Sequence, residues 1–150
     1  MMPNDEILTP LLSWHVPQMA DIERRCFSEE AWSESTLASE LRNELAHYFV
    51  LTSGETVLAY VGTYVVADEM HISNVATEPS FRRRGYGARV LAAALEYAAL
   101  CGVRIIHLEV REGNTAARAL YESYGFLTVG RRPHYYVGPD EAAILMTKEL

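Results

Sequence analysis

The chain has little or none of several features that point to particular classes of protein. It has two cysteines in 150 residues, and Cys26 and Cys101 lie far apart, without the spacing of metal ligands. We interpret them as buried or free thiols in a reducing compartment, although the sequence alone leaves one disulfide open. No apolar run reaches the roughly 18 residues of a membrane-spanning helix. The acidic start from Met1 to Glu6 lacks the basic and apolar regions of a secretion signal, so we expect a cytoplasmic protein.

Positive charge is also scarce. Thirteen Lys and Arg residues stand against twenty Asp and Glu residues, which gives a formal net charge of -7. This balance argues against nucleic acid or an acidic membrane as a partner, and it suits a partner that carries positive charge. Linkers, internal repeats and low-complexity tracts are absent as well, so we expect residues 1–150 to form one domain.

Hydrophobic residues make up 49% of the sequence, and their spacing predicts both helices and strands. Helices are predicted at about 17–26, 87–100 and 114–124. A further helix is predicted to begin at Ser33, with Leu37 and Leu41 on one face. Strands are predicted at about 7–12, 47–52, 56–66, 70–77, 104–110, 126–137 and 142–149. Because strands and helices alternate irregularly, the pattern indicates an α/β or α+β arrangement around one mixed sheet.

Arginine and glycine are concentrated between a predicted strand and a long predicted helix, in the run Arg82-Arg83-Arg84-Gly85-Tyr86-Gly87. Two glycines allow a tight turn whose backbone N–H groups converge, and the following helix adds its positive end. Arginine side chains beside such a turn can reach phosphate oxygens. The run is neither a Walker loop nor a dinucleotide fingerprint, because both of those motifs are absent. A solvated basic turn is the alternative, but the flanking strand and helix favour phosphate binding.

A second segment places polar side chains around the next predicted strand and helix. Glu109 lies near the end of the strand, on the face opposite Leu108. Taken singly, Glu109 fits a rim carboxylate paired with an arginine, Asn114 fits a helix N-cap, and Tyr121 fits a packed aromatic side chain. The residues alone leave those structural roles open.

Together, the two segments resemble the signature of the GNAT superfamily of N-acetyltransferases. Its Q/R-x-x-G-x-G/A cofactor motif is matched by Arg82, Gly85 and Gly87, and residues 74–79 resemble the strand and turn before it. Its Asn-x-x-Ala-x-x-Leu-Tyr-x-x-x-Gly-Phe pattern is matched by Asn114, Ala117, Leu120, Tyr121, Gly125 and Phe126.

The closer likeness is to the RimI-type N-terminal acetyltransferases of bacteria, which modify ribosomal proteins. It rests on Ala31-Trp32-Ser33, on Leu108-Glu109-Val110-Arg111 and on the run from Arg131 to Tyr136. Two positions differ from the usual pattern of that subfamily. Ala31 stands where proline is usual, and His134 stands where asparagine is common.

The resemblance implies a GNAT fold: one mixed, mostly antiparallel sheet with about four helices and a V-shaped splay between two central strands. It implies acetyl-CoA as the acetyl donor, no metal, and direct attack by an amine on the thioester. The implied cofactor-binding residues are Val75, Ala76, Thr77, Arg82, Arg83, Arg84, Gly85, Tyr86, Gly87 and Asn114. Glu109 is implied as general base and Tyr121 as general acid. Trp32, Tyr135 and Tyr136 are implied as walls of the acceptor slot.

The acceptor that the resemblance implies is the N-terminal α-amine of a protein, in particular a ribosomal protein that begins with alanine or another small residue. At about pH 7.4 roughly a quarter of α-amines are neutral, against about one lysine in a thousand, so an α-amine asks less of the base. Acetylation of a small amine or a lysine side chain remains open. So do a non-catalytic acyl-CoA-binding module and a subunit that needs a partner chain.

Overall fold

The structure is a computed structural model that describes residues 5–150. The first four residues lie outside the described part, and with them most of the segment used to argue against a secretion signal. Seven strands form one sheet in the order β1-β2-β3-β4-β5-β7-β6. The strands are β1 (Glu6–Pro10), β2 (Ala46–Ser53), β3 (Thr56–Val66), β4 (Glu69–Thr77), β5 (Ile105–Arg111), β6 (Leu127–Tyr136) and β7 (Glu141–Glu149). All neighbouring pairs are antiparallel except β4 and β5, so the predicted mixed sheet is confirmed.

Four α-helices accompany the sheet, as predicted: α1 (Val16–Cys26), α2 (Glu34–Glu40), α3 (Tyr86–Leu100) and α4 (Thr115–Ser123). Ser33 caps α2 by accepting a hydrogen bond from the Thr36 N–H, as its sequence position predicted. The prediction that Leu41 shares the buried face of Leu37 is wrong. Because α2 ends at Glu40, Leu37 is fully buried while Leu41 is 41% exposed.

The helices cover opposite faces of the sheet. Tyr60 belongs to a buried cluster with residues of α1 and α2, whereas its neighbour Val61 belongs to a cluster with residues of α3. Adjacent residues of a strand point to opposite faces, so α1 and α2 lie on one side and α3 on the other. Among the described residues, no helix is long and apolar enough to cross a membrane. Both cysteines are free: Cys26 is half-buried at the end of α1, and Cys101 is exposed after α3.

The two central strands separate soon after they meet. β4 pairs with β5 through only three residue pairs, the last of which joins His71 to His107. Beyond that point β4 stays with β3 and β5 stays with β7, so a gap opens between them. The predicted V-shaped splay is therefore confirmed. A β-bulge at Ser73 lies just inside the gap, opposite Gly62, where an added Cβ would come within 2.6 Å of the Ser73 hydroxyl.

Candidate active site

The gap between β4 and β5 opens into a cleft of about 760 Å³. Its walls come from the segment between α1 and α2, the separated parts of β4 and β5, the start of α4, and the loop between β6 and β7. Seven of the residues singled out from the sequence line it: Trp32, Val75, Glu109, Asn114, Tyr121, Tyr135 and Tyr136. Ala76, Thr77 and residues 82–87 lie outside this lining. The fold thus brings the implied base, acid and acceptor residues into one space.

Glu109 projects from β5 into the cleft, on the face opposite the buried Leu108. One of its carboxylate oxygens, Oε2, lies 2.6 Å from Nε2 of His71 on β4. This hydrogen bond is the main cause that lowers the pKa of Glu109 below its ordinary value, and it outweighs the opposing effect of burial. At neutral pH Glu109 is therefore a carboxylate, in the state that can accept a proton.

Tyr121 reaches the same cleft from α4. Its side chain is buried, and its ring meets Phe126 edge-on at 5.8 Å between centroids. Burial raises the pKa of Tyr121 to about 12, so the hydroxyl keeps its proton at neutral pH. Asn114 caps α4 by accepting a hydrogen bond from the Ala117 N–H at 3.2 Å. Its role as an N-cap is thus present, and the cap fixes the helix that carries Tyr121.

The arginine–glycine turn leads directly into α3. Gly85 has φ 81° and forms the N-cap of the helix, in a conformation that favours glycine. Gly87 lies against β4, where an added Cβ would be 3.4 Å from Thr77 Oγ1. The side chain of Tyr86 is buried, and its hydroxyl donates to Glu6 at 2.5 Å. Tyr86 can therefore meet an anion only through its backbone N–H.

The three arginines of this turn are exposed. Arg84 lies over the ring of Phe81, at 5.4 Å from its centroid, and Arg82 donates to the Cys26 sulfur at 3.3 Å. Neither contact engages a carboxylate. Both guanidinium groups lie beside the positive end of α3, where Arg84 is also close enough to act electrostatically on Glu6.

Aromatic side chains line the end of the cleft that lies between the segment before α2 and the end of β6. Trp32 is half-buried, with its ring centroid 6.5 Å from that of Tyr64. Tyr135 and Tyr136 meet edge-on at 4.9 Å, in a part of β6 that is irregular against β7. His134 has φ 56° there, a left-handed conformation in which asparagine is better accommodated.

Arg111 is a site residue whose role the sequence did not reveal. Its guanidinium donates twice to Glu30, at 2.8 and 2.9 Å, and once to Glu141, at 3.0 Å. It also donates to the carbonyl oxygens of Val137 and Pro139 and lies over the ring of Tyr136. A single half-buried side chain thus ties the segment before α2 to the loop between β6 and β7. Its position in the matched motif was visible in the sequence, but its partners were not.

Glu23 is a second residue that was missed. It lies on α1, is 1% exposed, and accepts hydrogen bonds from the Trp32 N–H at 2.9 Å, from Asn74 at 2.5 Å and from the Tyr60 hydroxyl. Burial raises its pKa above the ordinary value. A signal was present in the sequence, because Glu23 follows Met19 by four residues and therefore shares its buried face.

Comparison with known proteins agrees with this geometry. A model of the acetyltransferase (GNAT) family matches residues 16–126. The chain therefore belongs to the GNAT acetyltransferase family. The ribosomal protein bS18-alanine N-acetyltransferase of Escherichia coli (strain K12) is 37% identical over 141 residues, which are 93% of this chain and 94% of that protein. An uncharacterized protein of Mycobacterium leprae is 33% identical over 139 residues, but the chain spans only 38% of its length.

Solved structures share the fold. The crystal structure of the ribosomal-protein-S18-alanine N-acetyltransferase from Escherichia coli superposes with a TM-score of 0.86 at 35% identity, covering 96% of this chain and 93% of that one. The PaiA N-acetyltransferase from Thermoplasma acidophilum, solved in complex with coenzyme A, superposes with a TM-score of 0.79 at 15% identity, covering 97% and 99%. At that identity the likeness concerns the fold alone.

Proposed function

We propose that this protein transfers the acetyl group of acetyl-CoA to the N-terminal α-amine of a protein that begins with alanine, in the first place a ribosomal protein of the bS18 type. The similarity to the E. coli enzyme supports this acceptor, because it extends over 93% of this chain and includes both ends of the cleft. The proposal treats the whole chain as one acetyltransferase domain that acts in the cytoplasm. The two free cysteines are compatible with a reducing compartment.

The observation that carries the proposal is that a carboxylate and a phenol of opposite protonation state line one cleft. At neutral pH Glu109 is a carboxylate and Tyr121 is a neutral phenol, and the hydrogen bond from His71 and burial move their pKa values further apart. Acetyl transfer to an amine needs one group of each kind, since a proton leaves the nitrogen and another must reach the departing sulfur. A structural carboxylate and a packed tyrosine would not need to line the same space.

The residues present fit acetyl-CoA, which supplies the acetyl group as a thioester. The backbone N–H groups of the turn at residues 84–87, the positive end of α3 and the exposed arginines suit its pyrophosphate. Within the described residues, β4 beyond His71 has no strand partner on its β5 side, so its backbone is available to the pantetheine arm. Asn114 would contribute from the start of α4. The N–H groups near Val75 would polarise the thioester oxygen.

In this mechanism the amine nitrogen attacks the thioester carbon directly. The new N–C bond forms as Glu109 takes a proton from nitrogen, either itself or through a water molecule. The C–S bond breaks as Tyr121 gives its proton to the departing sulfur. An amine that arrives protonated loses two protons, of which one replaces the proton given up by Tyr121 and one goes to solvent.

An extended peptide with a small first residue fits the acceptor end. Trp32 forms one wall, and Tyr135 and Tyr136 form the other. The carboxylate of Glu29 lines the same end and favours a positively charged N-terminus, whereas that of Glu30 is already paired with Arg111. An acceptor with a basic residue near its N-terminus would bind more tightly through the same electrostatic attraction.

A competition experiment tests the acceptor. The protein is incubated with acetyl-CoA and a mixture of three amines: a peptide beginning Ala-Arg, the same peptide with a blocked N-terminus, and spermidine. Mass spectrometry should find acetylation of the first peptide at its α-amine. Transfer to lysine in the blocked peptide, or preference for spermidine, would overturn the N-terminal assignment. No transfer to any amine would favour an acyl-CoA-binding module instead.

A further inference from the structure

The hydrogen bond between His71 and Glu109 fixes the geometry of the carboxylate as well as lowering its pKa. His71 lies on β4 at the last residue pair before the two strands separate. Its Nε2 is 2.6 Å from Oε2 of Glu109, so with Glu109 ionised the imidazole is the donor. The other carboxylate oxygen of Glu109, Oε1, makes no hydrogen bond within residues 5–150.

The contact between His71 and Glu109 engages only one of the two carboxylate oxygens. The two side chains come from different strands, which are joined only through His71 and the two residues before it. The Glu109 side chain is 25% exposed and that of His71 is 43% exposed, so both are partly accessible from the cleft. A donor fixed to one oxygen restricts the rotation of the carboxylate and leaves the second oxygen for the amine. A base must be within hydrogen-bond reach of the proton it removes, so its orientation matters as much as its charge.

We infer that His71 is a positioning residue for Glu109: its Nε2–H holds Oε2 so that Oε1 faces the acceptor amine. The inference rests on the proposed function, since it assumes that Glu109 is the base for acetyl transfer. His71 contacts neither the donor nor the acceptor in this scheme. Its effect should therefore appear in turnover rather than in the binding of either substrate.

Substitutions that keep or remove the donor test the inference. His71→Gln retains an amide N–H with similar reach, whereas His71→Leu and His71→Val retain none. Steady-state kinetics with the Ala-Arg peptide should show kcat reduced about tenfold to a hundredfold in His71→Leu and His71→Val. KM for acetyl-CoA should stay unchanged. His71→Gln should recover most of the wild-type kcat, which a loss of packing alone would not predict.

His107 supplies the matched control. It is the register partner of His71, lies on the same face, and contacts Glu69 rather than Glu109 at the same 2.6 Å. His107 acts on Glu109 only as a charge at a distance and not through a hydrogen bond, so His107→Leu should leave kcat much closer to wild type than His71→Leu does. A thermal melt of each variant separates lost turnover from lost folding, and His71→Val, which suits a strand, provides a second donor-free variant.

The outcomes are distinct. Wild-type kcat in His71→Leu or His71→Val overturns the inference, and so does equal loss in the Gln, Leu and Val variants. An equal effect of His107→Leu overturns it as well, because the effect would then not depend on contact with Glu109. If the wild-type protein does not acetylate the peptide, the proposed function itself fails and the inference falls with it.

Discussion

Replacement of Arg111 by lysine should loosen the acceptor end of the cleft. Arg111 makes five hydrogen bonds, to Glu30, Glu141 and two carbonyl oxygens of the loop between β6 and β7. Lysine keeps the charge but has three donors on one atom, so it cannot reproduce the planar fork that meets Glu30 with two parallel bonds. At least two of the five acceptors lose their partner.

The magnitude follows from burial. Arg111 is 17% exposed, Glu30 is 29% exposed and Glu141 is 26% exposed, so solvent compensates the lost contacts only in part. A hydrogen bond to a charged group contributes about 1.5–3 kcal/mol, and we expect Arg111→Lys to destabilise the fold by about 2–3 kcal/mol. For a chain of this length that corresponds to a melting temperature lower by roughly 5–10 °C. KM for the peptide should rise about tenfold. KM for acetyl-CoA should be unchanged, because the turn at residues 84–87, which we propose holds the pyrophosphate, makes no contact with Arg111.

Arg131 provides a control with the same fork geometry at the surface. It donates twice to Glu112, at 2.7 and 3.0 Å, but the two side chains are 53% and 41% exposed. Exposed ion pairs contribute about 0–1 kcal/mol, so Arg131→Lys should change the melting temperature by no more than about 3 °C. Calorimetry measures the melting temperature of both variants, and steady-state kinetics measure their KM for the peptide. Equal effects of the two substitutions, or an unchanged peptide KM in Arg111→Lys, would refute the assignment of Arg111 as the tie between the two walls.

Two further predictions concern the donor and the chemistry. Gly87→Glu should abolish measurable acetyl-CoA binding in titration calorimetry, because the new side chain would fill the turn at residues 84–87. Gly87→Ala should fold normally, since the added Cβ makes an ordinary 3.4 Å contact with Thr77. Unchanged acetyl-CoA affinity in Gly87→Glu would contradict the proposed binding mode. Glu109→Gln and Tyr121→Phe should each lower kcat by about a hundredfold near neutral pH without changing acetyl-CoA affinity. Because the pKa of Glu109 is lowered, its carboxylate stays ionised and active until the pH falls through that lowered value; His107 and Arg132 act on it in the same direction as His71. The loss in Glu109→Gln should shrink at high pH, where the amine is already neutral, while Tyr121→Phe should be slow at every pH below about 12, the pKa of the missing phenol. Wild-type rates in both variants would mean that positioning alone drives the reaction.

Local signals in the sequence anticipated much of the fold. The bounds of β3 at Thr56–Val66 agree with prediction, since a hairpin turn and a continuous apolar run define them. The turn before α3 was recognisable because Gly85 stands where φ must be positive. Likewise, Ser33 and Asn114 cap their helices as their residue types predict. Each of these features depends on residues that are close in the chain.

Contacts between distant segments were not predictable in this way. Arg111 and Glu30 are separated by 81 positions, and Arg111 and Glu141 by 30. The pairing of His71 with Glu109 depends on the parallel register of β4 and β5, which no local pattern specifies. The burial of Glu23 was missed but was predictable, because helical spacing from Met19 places it on the buried face of α1. A buried carboxylate on such a face needs hydrogen-bond donors, which makes its position a signal.

The bulge at Ser73 explains how side chains of β4 reach their partners on both sides of the sheet. Before it, the odd-numbered His71 faces the side of α1, where it meets Glu109. An extra residue in a strand reverses the alternation, and after the bulge the even-numbered Asn74 faces that same side and donates to Glu23. Thr77 then faces α3 and lies against Gly87 of the phosphate turn. In a regular strand, Asn74 would point away from Glu23 and Thr77 would point away from the turn. The single inserted residue therefore allows one strand to present His71 to Glu109, to hold Glu23 behind Trp32, and to meet the turn before α3 at its end.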